Sequence, residues 1–224
     1  MGAASKKSTG LFITLEGGEG SGKTTQARRL CERLTQQGLN VLQTREPGGT
    51  LVAERLRSIL LDHSGETIAP ETEAFLIFAA RRQHLDQVIK PALAQGKTVV
   101  CDRFSDSTMA YQGYGRGLDL GVLRTMNNWA TGKLAPQLTL LFDVPVAVGL
   151  SRRRGRTATQ NRLDREAERF HRKVHAGFHA LARREPRRIM VIDSAQPLES
   201  VTHTVEELVM NWLKAYRAGA SRRR

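Results

Sequence analysis

The segment LEGGEGSGKTTQARRL, residues 15–30, carries the clearest structural pattern in this 224-residue chain. It contains a complete G-x-x-x-x-G-K-[ST] pattern between Gly17 and Thr24. The apolar run LFITL (11–15) precedes the pattern and an amphipathic helical pattern follows it, which is the strand–loop–helix context that this motif requires. Glycine loses more conformational entropy on folding than any other residue, so this cluster indicates a loop that a ligand approaches closely.

The loop predicts a binding site for nucleotide phosphates. Its amide groups would point at the anion, and the helix that begins near Lys23 would add the positive end of its dipole. Lys23 is expected to reach the β- and γ-phosphates, and the hydroxyl of Thr24 to contact Mg²⁺. The candidate nucleotide-binding residues are Gly17, Gly18, Glu19, Gly20, Ser21, Gly22, Lys23 and Thr24.

The composition is that of an ordinary soluble protein. Hydrophobic residues make up 40% of the chain and charged residues 25%, which is enough for a buried core. The two cysteines, Cys31 and Cys101, fall in a predicted helix and at a strand end, which favours a reduced, cytoplasmic protein. No stretch approaches the roughly 18 apolar residues of a membrane span, and residues 1–10 lack the apolar core of a signal peptide.

The net charge of +13 raises nucleic acid as a partner. Part of the excess lies in the two termini, which we expect to be a disordered tail (1–10) and a basic tail (218–224). Another part lies in SRRRGRTATQNRLDR (151–165), whose arginines would suit a mobile clamp on phosphates. Aromatic residues make up only 5%, too few for a base-stacking platform. The charge therefore favours an acidic small-molecule substrate, with neither nucleic acid nor a membrane as partner.

Short apolar runs alternate with helical patterns along the whole chain. This alternation predicts an α/β fold, a three-layer sandwich in which helices flank a five-stranded parallel sheet, as one domain over 11–217. Gly38 and Gly96 are expected to end helices just before a strand. Strands are predicted at 11–15, 39–44, 98–102, 138–144 and 189–193, and helices at about 23–37, 50–61, 71–95, 119–130, 145–153, 164–184 and 198–216.

Ligands bind at the carboxyl ends of the strands in such sheets, and three further segments are expected there. In TREPGGT (44–50), Pro47 and two glycines would hold Arg45 and Glu46 over the sheet edge, although an ordinary turn with surface charges is the alternative. The segment VVCDRFSDSTMAYQGYGRG (99–117) follows the third strand. The residues after Val144 follow the fourth.

The segment 99–117 offers a metal ligand, a phosphate contact and several polar side chains. Asp102 ends a buried strand, where a protein with this loop often positions the water shell of Mg²⁺. Arg103 beside it can form a bidentate contact with a phosphate. The alternative is a capped helix with a solvent-exposed face. The side chains that would read a base and a sugar are Ser105, Ser107, Thr108, Tyr111 and Gln112.

The helix predicted at 71–95 contains FLIFAARRQH. Phe75 and Phe78 would be core residues in most helices. Phe78 is nevertheless followed at i+3 and i+4 by Arg81 and Arg82, on roughly one face. An aromatic ring that stacks on a base beside a guanidinium that bonds its edge would give this pattern.

Taken in order, G-G-E-G-S-G-K-T-T, R-E-P-G-G-T, A-A-R-R-Q-H and D-R-F-x-x-S-T-x-A-Y-Q-G-Y-G-R-G resemble bacterial thymidylate kinases. The resemblance covers residues 11 to about 215, and its last block is the most specific piece, because the first loop marks only the P-loop NTPase superfamily. It implies that ATP phosphorylates thymidine monophosphate (dTMP) to the diphosphate with Mg²⁺, as a step in dTTP synthesis for DNA replication. It also implies a homodimer.

The resemblance assigns roles to individual residues. Arg103 and Arg57 look like contacts to the acceptor phosphate, and Thr108 and Gln112 look like contacts to the thymine edge. Tyr111 resembles the ring that disfavours a ribose 2′-hydroxyl. Phe78 and Arg82 resemble the residues that stack on and bond the base, but in relatives with a helix one residue longer these places fall on Ile77 and Arg81. The candidate substrate-binding residues are Glu46, Arg57, Phe78, Arg82, Arg103, Thr108, Tyr111 and Gln112, and the candidate metal contacts are Thr24 and Asp102.

The loop carries no arginine at its variable positions, so catalytic positive charge is expected from a small lid at about 152–162. The segment is polar and lacks apolar anchors, which predicts that it is mobile without ligand and orders when both nucleotides bind. The candidate catalytic residues are Glu19, Lys23, Arg103, Arg152, Arg156 and Arg162.

Two alternatives remain open at this point. A P-loop GTPase switch would explain DHSG (62–65) and NRLD (161–164), but the first follows a helical pattern rather than a strand and the second lies in an arginine-rich loop. The other alternative is a different nucleoside monophosphate kinase or a deoxynucleoside kinase.

Overall fold

Five parallel strands form the centre of the computed structural model, which describes residues 10–62, 66–154 and 162–221. The strands are β1 (Phe12–Gly17), β2 (Val41–Arg45), β3 (Thr98–Asp102), β4 (Leu138–Asp143) and β5 (Ile189–Asp193). Their order across the sheet is β2-β3-β1-β4-β5, which confirms the predicted five-stranded parallel sheet.

Helices cover both faces of this sheet. The helices are α1 (Lys23–Gln36), α2 (Leu51–Leu61), α3 (Pro70–His84), π1 (Leu85–Ile89), α4 (Lys90–Ala94), α5 (Ser105–Thr108), π2 (Met109–Gly115), α6 (Leu120–Thr131), α7 (Val146–Arg154), α8 (Glu168–Arg184) and α9 (Leu198–Ser221), with a 3₁₀ turn at Arg162–Arg165. One helix continues from α3 through the π-helical turn π1 into α4, and this turn lies just before Pro91, which cannot donate a backbone hydrogen bond.

Alternate residues of each strand enter cores on opposite faces of the sheet. Ile13 and Leu15 of β1 pack with Leu30 of α1 and Val205 of α9 on one face. Phe12 packs on the other face with the π1 turn. A further cluster below β4 and β5 joins α3, π2, α6 and α8. Burial on both faces explains why β1, β3 and β4 read as nearly continuous apolar runs in the sequence, while the edge strands β2 and β5 are partly exposed.

The seven predicted helical segments are found, with their ends shifted by a few residues. Gly38 and Gly96 have φ angles of 78° and 77° and follow helix ends, as predicted. The helical segment formed by α5 and π2 was not among these seven; a helix there was only the alternative given for 99–117, and most of its residues are buried rather than solvent-exposed. Among the described residues, no helix has the length and apolar character needed to cross a membrane.

The predicted tails and lid lie partly outside the described residues. Within the predicted N-terminal tail, Gly10 is buried and its amide donates to the carbonyl of Leu93 at 2.9 Å. Helix α9 continues to Ser221, four residues past the predicted end of the domain. Residues 1–9, 222–224 and most of the lid (155–161), including Arg156, fall outside the description.

Candidate active site

A cavity of about 910 Å³ opens at the carboxyl ends of the strands. Its walls come from the loop after β1, the turn after β2, the segment after β3 and the loop after β5. The register of the sheet brings these segments together, because Leu15 and Arg45 both pair with Asp102. The predicted convergence of the motifs on one sheet edge is therefore confirmed.

The loop after β1 lies backbone to backbone against α7. Gly17, Gly20 and Gly22 all have positive φ angles (142°, 67° and 85°), which a residue with a side chain adopts only under strain. A Cβ on Gly20 would lie 2.1 Å from the carbonyl oxygen of Gly149, and a Cβ on Gly149 would lie 2.4 Å from the carbonyl oxygen of Glu19. The glycines are thus required by the path of the loop as well as by any bound phosphate.

Lys23 is buried inside this loop. Its Nζ donates to the carbonyl of Gly18 at 2.7 Å and to the hydroxyl of Ser21 at 3.0 Å. Burial and then the charge of Arg103 lower the pKa of Lys23 to about 8, against the opposing effect of Glu19. The ammonium group is therefore held where a phosphate could replace its bonds to the loop.

Thr24 and Asp102 meet in the cavity and suit a hard cation. The hydroxyl of Thr24 donates to Oδ2 of Asp102 at 2.7 Å. The other carboxylate oxygen, Oδ1, is buried and has no hydrogen-bond partner among the described residues. A hydroxyl and a carboxylate with a spare lone pair are the oxygen ligands that Mg²⁺ accepts beside phosphate and water. The residues present fit the predicted metal contact.

Arg103 joins the loop to the opposite side of the cavity. Its Nη2 donates to Oε1 of Glu19 at 2.6 Å, and the hydroxyl of Tyr111 donates to the same oxygen at 2.7 Å. Its guanidinium carbon lies 5.0 Å from the centre of the Tyr111 ring. Although burial opposes it, the charges of Arg103 and Lys23 lower the pKa of Glu19 to about 2. The φ angle of Arg103 is 72°, an uncommon conformation for a residue with a side chain, and it occurs at the end of β3 in the cavity wall.

A buried ion pair forms the wall beyond β2. Arg81 donates through Nε to Oε2 of Glu46 at 2.7 Å and through Nη2 to the hydroxyl of Thr108 at 3.0 Å. Its Nη1 donates to the side-chain oxygen of Asn127 at 3.0 Å. The other oxygen of Glu46 contacts Nδ1 of His84 at 3.2 Å. Glu46 is thus held over the sheet edge as predicted, but its carboxylate is buried.

The structure corrects the predicted pairing of Phe78 with Arg82. Ile77 and Arg81 line the cavity, whereas Phe78 packs in the core and Arg82 lies at the surface, where it donates to Asp86 at 2.5 Å. The alternative left open by the sequence, Ile77 with Arg81, is the one that faces the cavity. The physical reason is that apolar residues lie all around α3, so the sequence does not show which face of the helix is turned toward the cavity.

Gln112 is anchored to a buried carboxylate that the sequence analysis missed. Its Nε2 donates to Oε1 of Glu73 at 2.6 Å. Arg116 donates to both oxygens of Glu73, at 3.3 and 3.1 Å, and Arg162 donates to Oε2 as well. Burial opposes ionisation, but the bonds from these two arginines and from Gln112 lower the pKa of Glu73. No sequence pattern indicated this cluster, because its arginines lie 43 and 89 residues away from Glu73.

The remaining predicted arginines lie around the cavity, held by backbone carbonyls. Arg57 lines it and donates to the carbonyl of Pro47 at 3.0 Å, and burial and then the charge of Arg45 lower the pKa of Arg57. Arg152 lines it on the far side and donates to the carbonyl of Ser194 at 2.9 Å. Of the predicted lid arginines, Arg162 contacts Glu73 rather than the loop after β1.

Comparisons with known proteins point to one family. A family model described as thymidylate kinase matches residues 15–205. A thymidylate kinase of Thermomicrobium roseum is 53% identical over 203 residues, which cover 91% of this chain and 96% of the relative. A thymidylate kinase of Alkalilimnicola ehrlichii is 49% identical over 213 residues, covering 93% and 98%.

A solved structure agrees with these sequence comparisons. The crystal structure of a thymidylate kinase from Ehrlichia chaffeensis superimposes with a TM-score of 0.72 at 35% sequence identity. The alignment covers 89% of this chain and 98% of that one.

Proposed function

Because the chain belongs to the thymidylate kinase family, we propose that it transfers the γ-phosphoryl group of ATP to dTMP, giving dTDP and ADP. The observation that carries this proposal is the contact between Arg103 and Glu19 at 2.6 Å. It joins the phosphate-binding loop directly to the segment that offers an acceptor-phosphate contact. Both phosphates would therefore meet in one cavity, as phosphoryl transfer between two nucleotides requires.

Catalysis in this cavity rests on positioning and charge neutralisation. The acceptor is a phosphate oxygen that is already anionic near neutral pH, so the reaction needs no strong general base. Amides of the loop after β1 and the Nζ of Lys23 would neutralise charge on the transferring group. Thr24 and Asp102 would hold Mg²⁺, which supplies further neutralisation of the phosphate oxygens when bound.

Selection of the base would depend on the wall opposite the loop. Thr108, Ile77 and Gln112 line this part of the cavity, and the two polar side chains are already oriented by Arg81 and Glu73. Because their partners are buried, each polar group presents one defined donor or acceptor to a base edge. Such fixed polar groups reject analogues that leave them unpaired.

Exposed apolar residues support a homodimer. Leu51 of α2, Phe75 of α3 and Trp129 of α6 expose 72%, 59% and 83% of their surface. Helix α3 packs against both α2 and α6, so these side chains belong to neighbouring helices on one side of the sheet. We propose this face as the dimer contact, because apolar surfaces of this kind mark protein interfaces.

We also propose a cytoplasmic location and a small-molecule substrate without nucleic acid. Cys31 and Cys101 are free and buried in two different cores, as expected of a protein kept reduced. Among the described residues, many basic side chains are occupied by internal ion pairs. Arg188 with Asp106 and Arg116 with Glu73 are examples.

The decisive experiment is a turnover panel of nucleoside monophosphates with ATP and Mg²⁺. We expect dTMP to give the highest kcat/KM, and equal turnover of all acceptors or hydrolysis without an acceptor would contradict the proposal. Lys23→Ala should abolish transfer while acceptor binding stays measurable, because Lys23 addresses the ATP side.

Two further variants separate phosphate recognition from base recognition. Arg103→Ala should lower kcat/KM for every acceptor, by about a thousandfold or more, because its contact does not depend on the base. Gln112→Ala should lower kcat/KM most for dTMP, by a factor that corresponds to about 1–3 kcal/mol. Arg82→Ala is the matched control and should change neither the kcat/KM values nor the preference for dTMP. If Gln112→Ala leaves every acceptor untouched while Arg103→Ala alters only base preference, the orientation assigned to the acceptor is wrong.

A further inference from the structure

A cluster of two histidines and one aspartate lies where β4 ends against α8. Nε2 of His175 and Nε2 of His179 lie 2.7 and 3.1 Å from the same oxygen, Oδ1 of Asp143. The two imidazole rings are 4.6 Å apart, and the one ligand atom that each residue offers lies within 4.8 Å of the other two. About a third of each side chain is exposed, so the cluster is accessible from solvent.

Both sides of the cluster are held by regular structure. His175 and His179 are four residues apart on α8, so they project from one helical face, while Val174 and Phe178 of the same helix are buried in the core. Asp143 is the last residue of β4, and its carbonyl accepts both the amide and the hydroxyl of Ser194 at 2.7 Å. A cation here would therefore meet ligands that are already positioned.

The ligand set selects the class of cation. Two imidazole nitrogens and one carboxylate oxygen suit Zn²⁺ and similar transition metals, whereas Mg²⁺ prefers oxygen ligands alone. Three protein ligands leave a fourth tetrahedral position for water. Neither cysteine competes, because both thiols are buried in other parts of the fold.

We propose that Asp143, His175 and His179 form a binding site for Zn²⁺ or a similar divalent transition metal. None of the three residues lines the nucleotide cavity, so this site is separate from the one formed by Thr24 and Asp102. The ion would fasten α8 to the end of β4. The other side of α8 packs against π2, so the ion would link this layer of helices to the sheet.

Metal binding is best tested on untagged, chelator-treated protein in excess Mg²⁺. The Mg²⁺ would fill the metal site of the nucleotide cavity, so that Zn²⁺ is measured at the new site. Titration calorimetry with Zn²⁺ should give a stoichiometry of about one ion per chain, and Co²⁺ should give visible d–d absorption bands. Loss of an outer-shell partner weakens metal binding about 10- to 100-fold, so His175→Gln and His179→Gln should each weaken it at least about tenfold. His203→Gln, an exposed histidine on α9, is the matched control and should bind like the wild type.

Thermal unfolding guards against a misfolded variant. Without metal, both ligand variants should unfold close to the wild-type midpoint. At one Zn²⁺ concentration, the midpoint should rise more for the wild type and His203→Gln than for either ligand variant. Binding that does not saturate, or that is unchanged in the ligand variants, would overturn the proposal. An equal loss of Zn²⁺ affinity in His203→Gln would also overturn it. Each of these outcomes would mean that the two histidines only form hydrogen bonds with Asp143 and bind no metal.

Discussion

Replacing Glu16 with glutamine should make the protein more stable at neutral and alkaline pH. Glu16 lies in β1 with no exposed surface, and its two oxygens accept the amide of Phe104 at 2.8 Å and the hydroxyl of Ser107 at 2.6 Å. Burial, and then the nearby charge of Asp106, raise the pKa of Glu16 from 4.5 to about 7, although both hydrogen bonds and Arg103 oppose the shift.

The size of the effect follows from this shift. A pKa raised from 4.5 to about 7, at roughly 1.4 kcal/mol for each pKa unit, corresponds to about 3–4 kcal/mol. An acid whose pKa is higher in the folded state favours folding when protonated, so its contribution is complete below about pH 4.5 and is lost as the pH rises through about 7. Glutamine keeps the shape and both bonds of the protonated acid, since its oxygen can accept from Phe104 and its NH₂ can donate to Ser107.

The assay is denaturant unfolding at a series of pH values. The free energy of unfolding of Glu16→Gln minus that of the wild type should increase by about 3 kcal/mol between about pH 4.5 and pH 8. Glu207→Gln, an exposed position on α9, is the control and should give a flat difference. If the Glu16→Gln difference is also flat, folding does not raise the pKa of Glu16 and the argument from burial is wrong.

Three further predictions concern the cavity walls. Arg81→Ala should lower the free energy of unfolding by about 3–5 kcal/mol, because it leaves Glu46 buried without its cation. The control, Arg82→Ala, should change the free energy of unfolding by less than about 0.5 kcal/mol. Similar losses for the two variants in denaturant unfolding would contradict this prediction. Gly149→Ala should lower the free energy of unfolding by about 1–3 kcal/mol and weaken ATP binding, because the new methyl group overlaps the phosphate-binding loop. An unchanged ATP affinity would argue against that contact. Asp102→Asn should raise the Mg²⁺ concentration for half-maximal activity at least about tenfold, and an unshifted Mg²⁺ titration would remove Asp102 from the metal site.

Much of the fold could be predicted from the sequence because local signals agree with the tertiary structure. Strands buried on both faces appear as apolar runs, and all five were placed within about two residues. The phosphate-binding loop was equally plain, because its glycines, lysine and threonine are contiguous. The helical segment at α5 and π2 gave no such signal. Its sequence is polar and rich in glycine, and its structure depends on packing, such as that of Gly115 against Phe170 of α8.

The cavity wall formed by α3 was harder to predict for a different reason. In FLIFAARRQH the apolar residues do not mark one face of the helix, so a shift of one residue exchanges Phe78 and Arg82 for Ile77 and Arg81. Arg81 turns inward, where the side chains of Glu46, Thr108 and Asn127 accept its hydrogen bonds; all three are distant in sequence. Glu73 meets Arg116 and Arg162 across 43 and 89 residues of sequence, and no local pattern indicates such a contact.

The contact between Gly20 and Gly149 restricts how this sequence can change over time. In most tight contacts, a larger residue on one side is tolerated once a neighbour becomes smaller. Here both partners are already glycine, and each newly added Cβ would meet a main-chain carbonyl oxygen, at 2.1 and 2.4 Å. Carbonyl oxygens belong to every residue type, so no second-site substitution can make room. Neither position can therefore accept a larger residue unless the main chain itself moves. We expect both glycines to be retained together in evolution.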